Sequence, residues 1–214
     1  MAKVLHIDYE TQTDGEKLTA RSLSQLPDNW LIICNKVLVF GRDYTREVDF
    51  IVVGNNSIIA IDEKSWSGTI SGTSTSWSQS NGDSQRSPLN KVEMVSKALA
   101  GHIREKTPYI REFVGNNPFV RGCVSLTNQT SQPVISDPRS PELVILHHEL
   151  TDRLKRLDAQ YGDPNIGKLR NHIETTLVDL RDRPKRPKNI NEYSILDGYD
   201  GIGSSRVCRA IHSE

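Results

Sequence analysis

Asp49, Asp62 and Lys64 stand at the ends of two apolar runs within VDFIVVGNNSIIAIDEKSWSGTI, residues 48–70. Buried charge is costly unless it is paired or metal-bound, so two carboxylates and an ammonium at strand ends mark a candidate site. Side chains alternate along a strand, which puts Asp62 and Lys64 on one face, Glu63 on the other, and Asp49 in line with Ile51 and Val53. The turn signal at Gly54-Asn55-Asn56 predicts an antiparallel hairpin that brings Asp49 and Asp62 side by side at one end of a sheet. Hard oxygen ligands of this kind suit Mg²⁺ or Mn²⁺, which bind through one or two carboxylates, phosphate oxygens and water. A lysine beside such a metal stabilises charge developing at phosphorus or orients the attacking water. Glu16, on the inward face of a preceding helix, would complete the shell. That set suits phosphodiester hydrolysis.

Each residue alone also has a structural reading. Asp62 and Lys64 can be an ion pair at a sheet end, Asp49 a strand-entry residue satisfied by backbone N–H groups, and Glu16 a first-turn glutamate favouring the helix dipole. The combination is what tips the balance toward a site.

The elements that must position these residues follow from the apolar spacing. Residues 14–27, DGEKLTARSLSQLP, read as a helix capped by Asp14 and stopped by Pro27, with Glu16, Ala20, Leu23 and Leu26 inward and Leu18 outward. Trp30–Phe40 reads as a β-rich run broken at Asn35-Lys36, and GRDYTRE as a polar connection to the hairpin. The Ser/Thr/Gly-rich stretch after Lys64 carries Trp66, Ile70 and Trp77 as apolar anchors and a turn signal at Asn81-Gly82, so it is expected to continue the sheet as an exposed hairpin. Val92, Val95, Leu99 and Ile103 predict a helix over 88–106. Phe119–Leu126 predicts a strand, Val134-Ile135 a short one, and Leu143–Leu146 is ambiguous. Leu150, Leu154 and Leu157 mark a helix, as do Leu169, Ile173, Leu177 and Leu180. His147-His148-Glu149 resembles a metal cluster only superficially: adjacent histidines do not share a helix face, so a solvated helix start is expected. Trp66 and Trp77 are read as anchors of the hairpin rather than as base-stacking platforms. The class is α/β with one main core, a mixed central β-sheet and an antiparallel hairpin flanked by α-helices.

At 214 residues and 36% apolar content the chain can bury one sizeable core plus a short tail. Lys and Arg balance Asp and Glu at 27 each, which excludes a strongly basic coat while permitting a local positive strip. Cys34, Cys123 and Cys208 are widely spaced without a CxxC pair and read as reduced thiols. With no continuous apolar leader and no membrane-length run, a soluble, cytoplasmic protein is expected.

Asp49 followed by Asp62-Glu63-Lys64 resembles the PD-(D/E)XK nuclease superfamily, with Asp62 in the D/E slot. The longer string IDEKSWSGTI is similar to the signature of the nuclease-related domain (NERD) family. The Gly15-Glu16 helix start, the VDFIVVG strand, Trp77 and the Ser87-Pro88 helix entry match in order, and the resemblance covers roughly residues 14–126. It implies a restriction-endonuclease-like core that hydrolyses DNA with Mg²⁺ or Mn²⁺: Asp49 and Asp62 as metal ligands, Lys64 as the catalytic lysine, and Glu16 as the supporting glutamate. Two positions depart from the family pattern, Ser87 for its Asn and Lys91 for its Gln. They leave open a second reading, a weakly catalytic or inactive module that binds nucleic acid or a partner.

The implied domain spans 1–180. RDRPKRPK, at the start of 181–190, holds five basic side chains, two prolines and no core residue, and reads as a linker. Residues 191–214 resemble the first strand, glycine-rich turn and second strand of a protein-kinase N-lobe, with Gly201, Gly203, Val207 and Ala210 in order. The third glycine and the catalytic motifs are missing, so this segment reads as a stub of a fused or associated kinase module.

Overall fold

The computed structural model describes residues 1–5, 12–40, 44–80, 82, 84–107, 109–183, 193–195 and 210–212. The chain divides into two units, Met1–Arg183 and Pro184–Glu214. Unbroken β-branched runs that cannot face water build the main sheet of the first unit. In chain order its elements are β1 (Lys3–Leu5), α1 (Asp14–Leu23), β2 (Leu31–Phe40), β3 (Tyr44–Val53), β4 (Ile58–Lys64), β5 (Thr69–Thr73), β6 (Ser76–Gln79), β7 (Gln85–Arg86) and α2 (Pro88–Lys106). There follow α3 (Ile110–Val114), β8 (Val120–Leu126), β9 (Gln132–Ser136), α4 (Ser140–Leu143), β10 (Val144–Leu146), α5 (Leu150–Tyr161), α6 (Asn165–Lys168), α7 (Arg170–Val178) and β11 (Arg181–Asp182).

The main sheet runs β1-β2-β3-β4-β8-β10, with β11 also paired to β2. β2–β3 and β3–β4 are antiparallel, whereas β4–β8 and β8–β10 are parallel. The sheet is mixed, with helices on both faces. Leu89, Val92, Val95, Leu99 and Ile103 of α2 and Ile173 and Leu177 of α7 cover one face; Ala20 and Leu23 of α1 and Leu150, Leu154 and Leu157 of α5 cover the other. Because both faces are covered, β4 is buried from Ile58 to Glu63 and only Lys64 emerges. Each fully buried Ile or Val contributes roughly 1.5–3 kcal/mol relative to exposure, so this central strand is a fixed platform.

Several elements differ from expectation for local reasons. α1 is capped by Thr13, not Asp14: the Thr13 hydroxyl accepts from the Glu16 N–H at 3.1 Å, and the Glu16 carboxylate accepts from the Thr13 N–H at 2.7 Å. This reciprocal box outcompetes a single aspartate one residue later. β3 begins at Tyr44, so most of the polar connection is strand, and Leu143–Leu146 divides between the end of α4 and β10. The Ser/Thr-rich segment does not continue the main sheet. It forms a second sheet, β7-β6-β5-β9, in which the distant β9 pairs parallel to β5. Trp77, 1% exposed, packs edge-on to Trp66 at 6.4 Å and donates to the Thr73 carbonyl at 3.0 Å, anchoring that sheet to the core. Of the Asn81-Gly82 turn signal, Asn81 lies outside the described residues.

Arg181–Arg183 were read as the start of a linker without core residues. They belong instead to the first unit, with β11 on β2 and Arg183 only 7% exposed. The adjacent Lys36 is 1% exposed and donates to the carbonyls of Val178 and Leu180, each at 3.0 Å, and to Asp182 at 2.7 Å. In the second unit, Tyr193–Ile195 pairs antiparallel with Ala210–His212. Gly201, Gly203, Val207 and Cys208 lie outside the described residues.

Candidate active site

β3 and β4 pair as far as Phe50↔Ile61, and the same register sets Asp49 level with Asp62. There the strands stop exchanging backbone bonds in the ordinary way, because the Asp49 Oδ2 accepts the Glu63 N–H at 2.8 Å. The neighbouring strand is irregular at the same level. Asn35, opposite Asp49 in the β2–β3 register, has φ 57°, a left-handed conformation that Asn tolerates better than most residues. The alternation changes phase across this pair: Ile51 and Val53 share a core with Val48, while Phe50 faces the other side. Asp49 therefore reaches across to β4 from a kink and does not continue the simple row of Ile51 and Val53.

Asp62 is gripped by two ammonium groups. Lys64 Nζ lies 2.7 Å from its Oδ2 and Lys91 Nζ, from the first turn of α2, 2.7 Å from its Oδ1. The Asp62 side chain is only 5% exposed, against 21% for Lys64 and 40% for Lys91, so water reaches the site along the lysines. Burial pushes the Asp62 carboxyl up, but the two ammonium charges and their hydrogen bonds outweigh it and hold it below the ordinary range. Asp49 goes the other way. Burial, reinforced by the Asp62 charge, raises it to about 6 against the pull of Lys64 and the Glu63 N–H. Burial would lower the Lys64 ammonium, yet the Asp62 and Asp49 charges raise it.

Glu16 approaches from the α1 side. Its carboxylate is held in a fork by Arg183, with Nη1–Oε1 2.7 Å and Nη2–Oε2 3.0 Å, and Nη1 also lies 3.3 Å from Asp49 Oδ1. Glu16 thus meets Asp49 across a guanidinium instead of joining it and Asp62 in one oxygen shell. Glu63, on the opposite face from Asp62, accepts from the Ser65 hydroxyl at 2.8 Å and from the Thr127 hydroxyl. Burial raises its carboxyl, with both hydroxyl bonds opposing. Gly15 is required for this closeness: a Cβ there would lie 2.0 Å from Ser65 Oγ and 2.3 Å from Glu63 Oε1.

The structure thus gathers Asp49, Asp62 and Lys64 at one end of the β3–β4 hairpin and sets Glu16 behind Arg183. Among the described residues no group of three or more His, Cys, Asp or Glu side chains is close enough to hold a metal ion. Asp49 and Asp62 alone do have the donor chemistry of a hard divalent cation, which needs only one or two protein carboxylates. The raised proton affinity of Asp49 comes first from its burial and second from the Asp62 charge beside it. Ser87, one of the departures, caps α2 by accepting from the Asn90 N–H at 3.5 Å; Lys91, the other, is a direct partner of Asp62.

Arg183 and the pairing role of Lys91 were not foreseen. An inward-facing Glu16 required a cationic partner, which was the available signal for the first. His147–Glu149 is a short 3-10 turn in which His147 Nε2 meets the Ser22 hydroxyl at 3.1 Å, away from the carboxylates.

No curated protein matches the sequence. A solved structure similar to this chain is that of protein VC1899 from Vibrio cholerae, at 16% identity and a TM-score of 0.31. The match covers 68% of this chain and 32% of that one, so the chain spans about a third of that protein's length. The model of the nuclease-related domain family, NERD, matches residues 11–127, which takes in α1, the β3–β4 hairpin, the whole of α2 and β8. The matched span is more than half of the chain, and the protein belongs to the nuclease-related domain family.

Proposed function

We propose that the first unit is a Mg²⁺-dependent nuclease domain that hydrolyses DNA phosphodiester bonds, with Mn²⁺ as an alternative ion. The supporting observation is the convergence of Asp49, Asp62 and Lys64 at a sheet end that solvent reaches along Lys64 and Lys91. Asp49 and Asp62 would hold the ion, which when bound would supply Lewis-acid activation of the phosphate and of the attacking water. Lys64 stabilises negative charge on the phosphate oxygens as the water oxygen bonds to phosphorus and gives up its proton to solvent, and as the ester oxygen departs and takes a proton from solvent. Arg183, braced by Glu16, positions Asp49 and is not itself a ligand. Residues 191–214 belong to a fused or associated kinase-like module, and the protein works in the cytoplasm. No helix among the described residues is long and apolar enough to cross a membrane.

Incubation of the purified chain with supercoiled plasmid and Mg²⁺ or Mn²⁺ tests this. Nicking by the wild type and its loss in Asp62→Ala and Lys64→Ala are expected. Equal nicking by all three would identify a contaminant and remove the enzyme reading. The grip of both lysines on Asp62 favours a second reading, a binding module without turnover. Salt-sensitive DNA binding with no cleavage in any metal would establish it.

A further inference from the structure

Lys91 is the one member of the site that the hydrolytic scheme leaves without a task. Its ammonium meets Asp62 Oδ1 at 2.7 Å, on the oxygen not taken by Lys64. It is also the most exposed of the charged groups around Asp62, its side chain 40% exposed where it leaves the first turn of α2. Asp62 therefore has an ammonium 2.7 Å from each carboxylate oxygen, with Asp49 level with it on the neighbouring strand. An incoming phosphodiester offers Lys91 an equivalent anion on the open side of the site, and a divalent cation at the vacated oxygen keeps the buried Asp62 carboxylate compensated.

We propose that Lys91 is an exchangeable counter-ion that couples the two ligands: it leaves Asp62 for a backbone phosphate of the nucleic acid, and the oxygen it vacates becomes available to the divalent cation. This inference rests on the nuclease reading and adds an order to it. Cation and phosphate bind cooperatively, so the site binds cations more weakly until nucleic acid is present. By reciprocity, the cation strengthens phosphate binding by the same factor. Lys64, less exposed and donating also to the Glu63 carbonyl at 2.9 Å, stays on Asp62 throughout.

The test measures Mn²⁺ binding by electron paramagnetic resonance on the full chain, with and without a short phosphorothioate duplex, subtracting the duplex alone. The wild type is expected to bind Mn²⁺ about tenfold more tightly when the duplex is present, the size of effect expected from exchanging a part-exposed ion pair. Lys91→Gln should bind Mn²⁺ about tenfold more tightly than wild type without duplex and gain little from it. Lys91→Arg should keep the wild-type coupling. Lys97→Gln removes an equal charge from the same helix at a site paired with Glu93, and should behave as wild type. Equal Mn²⁺ affinity in wild type and Lys91→Gln overturns the coupling while leaving the nuclease reading in place. A wild type indifferent to the duplex overturns it too, whatever the variants do. Absence of Mn²⁺ binding in every protein overturns both.

Discussion

Asp49 and Asp62 lie level across one strand pair yet are tuned in opposite directions, and their proton affinities give each a separate pH signature. Asp49 is raised from 3.8 to about 6, so the folded state holds its proton more tightly than the unfolded chain does. Its contribution to stability is present below pH 3.8 and is lost as pH rises through about 6. Asp62 is lowered, so its contribution is present above its ordinary value and is lost as pH falls through the depressed one. Urea unfolding from pH 4 to 7 should show a decline with rising pH in the wild type, to which the raised Glu63 also contributes, and Asp49→Asn should make it shallower; an unchanged slope would refute the assignment to Asp49. On the proposed mechanism the proton on Asp49 competes with the cation, so the Mg²⁺ concentration needed for cleavage should rise as pH drops below about 6. Lys64 and Asp62 were legible as a pair because period-two alternation fixes their shared face. Their partner Lys91 was not, because strand and helix registers carry no information about each other.

At the level of elements, the β2–β3 hairpin changes phase at one level in both strands, where Asn35 faces Asp49. The left-handed φ of Asn35 is what lets β2 follow the kink, and its carbonyl accepts the Arg183 N–H at 2.7 Å. Asn35→Gly should therefore be nearly neutral, whereas Asn35→Ala should cost about 1–2 kcal/mol, the penalty of a Cβ in that conformation. Chemical unfolding of the two variants measures the difference, and equal costs would show that the kink does not depend on φ. The sequence revealed a break at Asn35-Lys36 because a polar pair interrupts an apolar run. It could not reveal that the strand continues through the break, since a single left-handed residue leaves no periodic trace. The Thr13-x-x-Glu16 box, by contrast, was plainly written and was passed over for Asp14. The second sheet was hidden for a different reason: β9 pairs with β5 from a distant part of the chain, and local pattern does not encode such pairing.

Across the whole first unit, its opening helix and its last residue are joined by the Glu16–Arg183 fork, 167 residues apart in sequence. A guanidinium 2% exposed over a carboxylate 4% exposed leaves buried Glu16 and Asp49 without their shared cation if Arg183 is removed. Arg183→Met should therefore cost about 3–5 kcal/mol and lower the thermal midpoint by roughly 10 °C. A Glu16→Met/Arg183→Met double variant should recover part of that loss, because it removes the orphaned Glu16 charge while Asp49 still lacks its guanidinium. Circular dichroism melts of the three proteins decide this, and a silent Arg183→Met would mean that the fork contributes nothing. The mixed sheet and its helical layers were legible at this scale because long apolar runs and helix spacing are strong signals. The unit's end was misjudged because RDRPKRPK has a linker's composition, and composition cannot show that one arginine in it turns inward.

Lys36 bears on covalent chemistry at this same edge. A side chain 1% exposed, its N–H groups spent on Val178, Leu180 and Asp182, presents no approach for an electrophile. Acylating reagents and lysine-modifying enzymes would find the exposed amines of Lys97 and Lys106 first. Lys36 stays chemically silent until the strand at its side peels away, so that its reactivity is a built-in witness to whether this margin of the fold is intact.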